Sequence, residues 1–79
     1  MSMIQSLLDS HLSEINRLST IKTNKVDFKK LIKYSISIHS KAYKSFNSSK
    51  SENSLVKASR QSIKAWEHSR YVNEQLGIP

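Results

Sequence analysis

A chain of 79 residues can hold one small domain, and thirteen Lys and Arg against six Asp and Glu leave it a formal charge of +7. One glycine, one proline and no cysteine exclude most hairpin-based β architectures, Gly-rich phosphate loops, disulfides and thiolate metal sites. No apolar run approaches the ~20 residues of a membrane span and no secretory leader is evident, so the expectation is a soluble, intracellular domain.

Ile4, Leu7, Leu8, Leu12, Ile15, Leu18 and Ile21 recur mostly at steps of three and four, which predicts a first helix over 3–21 with Ser2 as N-cap. The polar stretch 20–25 ends it. Asp27 reads as the N-cap of a second helix over 28–47, with Val26 as a hydrophobic staple. Its stripe is Phe28, Leu31, Ile32, Ile38, Ala42, Tyr43 and Phe46, with Ser35 and His39 on the same side. The run 47–51 is polar and poor in helix formers, and breaks the chain again.

A third helix is predicted over 52–76, capped by Ser51 or Ser54 and stopped by Gly77, with Pro79 beyond it. Its stripe is Leu55, Ser59, Ser62, Trp66, Ser69 and Leu76, with Trp66 read as core. Ala58, Ala65, Val72, Val56 and Ile63 flank that stripe, so its apolar-plus-small arc covers roughly half the circumference. An arc that wide either meets two neighbours or leaves room for a guest. Three helices with loops of about five residues make a single all-α domain over 1–79, an antiparallel three-helix bundle.

Chemistry is sparse. His11, His39 and His68 fall on three different helices with no paired spacing, so His11 and His39 read as half-buried seam residues and His68 as solvated. The carboxylates are accounted for by caps, first turns and helical neighbours, and no serine sits in a nucleophile context. The expectation is a non-catalytic domain without cofactor or metal. The lysines run along the outside of helix two and decorate helix three, outnumbering arginines ten to three. Diffuse lysine charge suits an acidic peptide or an anionic surface better than base readout. Two competing readings are a basic nucleic-acid-binding bundle and a structural dimerisation or assembly domain.

The segment 26–43, through Asp27, Phe28, Leu31, Ser35, Ile38 and Ala42, resembles the second helix of MIT (microtubule-interacting and trafficking) domains. Ser69, Val72 and Leu76, preceded by Ile63 and Trp66, match the spacing of that family's third helix, with Ser69 standing where alanine is usual. The resemblance implies an adaptor module whose grooves capture short helical or extended motifs, such as C-terminal tails of ESCRT-III subunits, in membrane trafficking or autophagy. It implies an acidic or amphipathic peptide partner and a cytoplasmic location, with endosomal or autophagic membranes reached through that partner. The peptide-binding residues expected on this basis are Tyr34, Ile38 and Lys41 on helix two and Ala58, Gln61, Ala65, His68 and Val72 on helix three. Ile36 and Ile63 are second choices for the opposite groove.

Overall fold

The computed structural model describes residues 3–78, and they form three helices: α1 (Met3–Ser19), α2 (Val26–Asn47) and α3 (Glu52–Leu76). At 1.5 Å per residue the longest, α3, spans about 37 Å. The molecule is a rod of 42 × 22 × 18 Å.

Local chemistry explains where each helix stops. The Ser19 hydroxyl donates to the Ile15 carbonyl at 2.7 Å and the Thr20 hydroxyl to the Arg17 carbonyl at 2.7 Å. The Thr20 and Ile21 amides turn back to the Arg17 and Leu18 carbonyls at 3.1 and 3.2 Å, i→i+3 bonds that tighten the last turn, so α1 closes at Ser19 rather than at 21. The expected cap at Ser2 lies outside the described residues, as does Pro79.

At the start of α2 the expectation is corrected by two residues. Lys25, with φ −81° and ψ 122°, is the N-cap, and no side chain caps the helix. Asp27 therefore lies inside the first turn, where its charge favours the positive end of the helix dipole. Val26 is 62% exposed and staples nothing.

The third helix begins and ends as predicted. Ser51 accepts from the Ser54 amide at 3.2 Å while the Ser54 hydroxyl accepts from the Ser51 amide at 3.1 Å, a reciprocal capping box. Gly77 adopts φ 72°, a left-handed conformation that glycine reaches without steric cost. The Ile78 amide then donates back to the Asn73 carbonyl at 2.8 Å, which completes a Schellman stop.

Leu8 of α1 packs with Phe46 near the end of α2 and Ala58 near the start of α3. Leu18 packs with Ile32 and Val72 at the other end of the rod. These two clusters require successive helices to run in opposite directions, so the fold is an antiparallel three-helix bundle. The packing is unequal. Backbones of α2 come within 8 Å (Cα to Cα) of both neighbours, whereas no such approach joins α1 to α3. Ala42, Ala58 and Ala65 are fully buried, and their small side chains allow the close α2–α3 seam. Between α1 and α3 only side chains bridge the gap.

Candidate functional site

The α2–α3 seam is tight at its base and opens outward into a furrow of about 570 Å³. Tyr34, Ile38 and Lys41 stand on α2 at helical steps of four and three, and Gln61, Lys64 and His68 stand on α3 at steps of three and four. Glu67 completes the lining. The Ser45 hydroxyl donates to Gln61 Oε1 across the two helices, and orients that amide.

The furrow's aromatic end is built by His68, whose ring lies 4.8 Å from Tyr34 in an edge-on arrangement and 5.9 Å from Tyr71. Its Nδ1 is buried and has no hydrogen-bond partner, and burial holds the imidazole below its ordinary pKa. His68 is therefore part of a wall and not the solvated residue expected. Tyr34 and Tyr71 stay 58% and 45% exposed, an unusually open pair of large rings.

Five of the residues expected to bind peptide, Tyr34, Ile38, Lys41, Gln61 and His68, meet in this furrow. Ala58, Ala65 and Val72 do not. Each is at 0% exposure, facing the bundle interior, so none can touch a guest. The broad small-residue arc of α3 is wide because its centre meets α2 at close range and one flank looks across the gap toward α1. Ile36 packs against the Leu18 cluster, while Ile63 is 59% exposed and borders the α1–α3 side. Lys64, Glu67 and Ser45 were absent from the expectation, although their spacing from Gln61, His68 and Lys41 would have found them.

Between the two apolar clusters lies a polar layer that periodicity did not foresee. His11 and His39 are completely buried, not half-buried, and their Nδ1 atoms are 2.8 Å apart. His11 Nε2 lies 2.8 Å from Ser62 Oγ, and His39 Nε2 lies 2.6 Å from Ser69 Oγ. Two facing Nδ1 atoms share one proton, so one ring donates and the other accepts.

Glu14 decides which. Burial alone would raise its carboxyl, but hydrogen bonds from Arg17 and Ser69 and the nearby charges hold it below the usual range. A carboxylate can only accept, so with the Ser69 hydroxyl turned to Glu14 its oxygen accepts from His39 Nε2. His39 Nδ1 is then the acceptor for His11 Nδ1–H, and Ser62 donates to His11 Nε2. Arg17 closes the chain, donating to both Glu14 oxygens at 2.7 and 2.8 Å and to Asn73 Oδ1 at 3.0 Å. This relay crosses from α3 to α1 to α2 and back, and stitches α1 to α3 where their backbones stand apart.

Burial depresses both imidazoles, and in His39, where the His11 charge adds to it, the pKa falls to about 4. The His–Ser distances would suit nucleophile activation. Yet Ser62 and Ser69 are 7% and 3% exposed, so a substrate has no approach to either hydroxyl. Trp66, expected in the core, covers this layer instead: its ring lies 4.8 Å from His39 and 5.5 Å from His11, and the residue is 39% exposed. Among the described residues no three His, Asp or Glu converge as a metal ion would require.

No family model, curated protein or solved structure matches this chain.

Proposed function

We propose that the chain is a non-catalytic protein-interaction module that holds an amphipathic, acidic helical peptide in the α2–α3 furrow. The observation carrying this reading is the furrow itself: an open channel between two parallel-sided helices, with Tyr34, Ile38 and His68 as apolar anchors and Lys41 and Lys64 beside them. A helical guest presenting apolar residues every three or four positions fits such a channel, and lysines on its edges favour a guest with carboxylates. The resemblance to MIT domains supports the same reading, and makes ESCRT-III-type tails, in trafficking or autophagy, the partner class to test first.

The test is fluorescence anisotropy with labelled C-terminal tail peptides of ESCRT-III subunits. Tyr34→Ala combined with Lys64→Glu alters two exposed side chains and should weaken binding at least about tenfold, or ~1.4 kcal/mol. Far-ultraviolet circular dichroism should remain helical. Affinity unchanged by this pair of substitutions would remove the furrow as the docking surface.

A further inference from the structure

The furrow uses only Lys41 of the lysines on α2. Lys29, Lys30, Lys33, Lys41 and Lys44 are all exposed, and at 100° per residue they fall within an arc of about 120°. Val26, 62% exposed, lies inside that arc; Ser37 and Ser40 separate the lysines along it. No lysine of this arc has a carboxylate partner, since the ion pair among the described residues joins Arg17 to Glu14. The arc is a strip that runs for some four turns of helix, about 24 Å, with Lys29, Lys30 and Lys33 at one end and Lys41 and Lys44 at the other.

One end of the strip leads into a notch of about 310 Å³ under the α1–α2 loop. Lys22, Lys29 and Lys33 converge on it with Thr23 and Asn24, while Ile21 and Ile32 supply apolar lining. No carboxylate lines it. Three ammonium groups and two polar side chains around a small concavity suit a phosphate-bearing group, and the apolar lining suits the glycerol or acyl portion attached to one.

We propose that this strip and its notch dock the domain directly on an anionic lipid bilayer, with a phosphate headgroup seated among Lys22, Lys29 and Lys33. The choice of bilayer over nucleic acid follows from residue type and shape. Lysine on a flexible stem is a point charge that meets a plane of headgroups without fixed geometry. Duplex readout relies mainly on the planar forks of Arg, Asn and Gln, and single strands on an aromatic platform; the lysines of the strip supply neither. Lys22, Lys29 and Lys33, which seat the headgroup, stand clear of the α2–α3 furrow, and only Lys41 belongs to both surfaces.

The experiment is co-sedimentation of the full chain with phosphatidylcholine vesicles containing about 30% phosphatidylserine, or a few per cent phosphoinositide, at ~0.15 M salt. Binding is expected to both, to be absent with phosphatidylcholine alone, and to fall at least about tenfold for Lys22→Gln/Lys29→Gln/Lys33→Gln. A matched variant, Lys50→Gln/Lys57→Gln/Arg60→Gln at the start of α3, removes the same charge from exposed residues outside both the notch and the furrow and should retain most of the binding. The proposal is overturned by no binding to either anionic vesicle, by equal losses in the two variants, or by tighter binding to a DNA duplex than to vesicles at the same salt. None of these substitutions alters a residue that lines the furrow, so failure here leaves the peptide reading standing, and failure of the Tyr34 test leaves this one.

Discussion

His11 and His39 occupy positions where a bundle of this size would ordinarily place leucine, and the bundle tolerates them because every polar atom of the pair is satisfied. Each bond is worth roughly 1 kcal/mol net, but an orphaned buried partner costs about 1–3 kcal/mol. Substituting one ring therefore does more harm than substituting both. His39→Leu strands His11 Nδ1 and should cost about 1–3 kcal/mol in urea unfolding. His11→Leu/His39→Leu should cost clearly less than the sum of the two single changes, and a double-mutant cycle measures the difference. Additive losses would show that the rings do not act as a pair. Both histidines and both serines sit on stripe positions in the sequence. That pattern marked them as inward-facing, but no local rule joins residues 28 or more positions apart.

At the scale of the helix, α3 shows why a wheel diagram misplaces a binding face. Ala58, Ala65 and Val72 were expected beside a guest because small residues permit close approach. Close packing is indeed their role, but the neighbours are the bundle's own helices, with Ala58 set against Leu8 and Phe46 and Val72 against Leu18 and Ile32. Ala65→Leu should thus act on the fold: overpacking a sealed seam costs about 1–3 kcal/mol, visible as a lowered Tm, and any loss of peptide affinity should track the folded fraction. An unchanged Tm would place Ala65 outside the seam. The caps read more reliably. Ser51 with Ser54, and Gly77 at φ 72°, act within one turn of chain, so their identities alone announce them. Lys25 displaces Asp27 as cap of α2 because its carbonyl accepts from the Lys29 amide at 3.0 Å, which starts the helix two residues earlier.

For the molecule as a whole, the polar layer makes stability depend on pH. His11 and His39 titrate lower in the bundle than in the unfolded chain, His39 near 4 against an ordinary 6.5. The unfolded chain therefore takes up protons first: the contribution is complete above about pH 6.5 and is lost as pH falls toward 4. For His39 the loss is about 3 kcal/mol at the acid end. Glu14, held below its ordinary pKa, adds a loss in the same direction at still lower pH. Trp66 is the chain's single tryptophan and lies against both rings, so its fluorescence reports the event directly. Urea midpoints should fall steadily from pH 7 to pH 4, and His11→Leu/His39→Leu should flatten that slope. A slope unchanged by the double substitution would assign the acid sensitivity elsewhere.

Helix number and helix direction were readable in the linear chain, because periodicity and caps are properties of neighbours within a few positions. The interior arrangement was not: the core divides into two apolar clusters, and Ala58 and Val72, expected at a peptide site, belong to those clusters. Which flank of α3 meets α2 and which faces an open gap depends on how three amphipathic cylinders rotate to share one core, and small changes in that rotation exchange buried for exposed. Trp66 moved outward and His11 and His39 moved fully inward for that reason. The relay from Ser62 to Asn73 exists only once the three backbones are in place, since it is assembled from groups on all three helices.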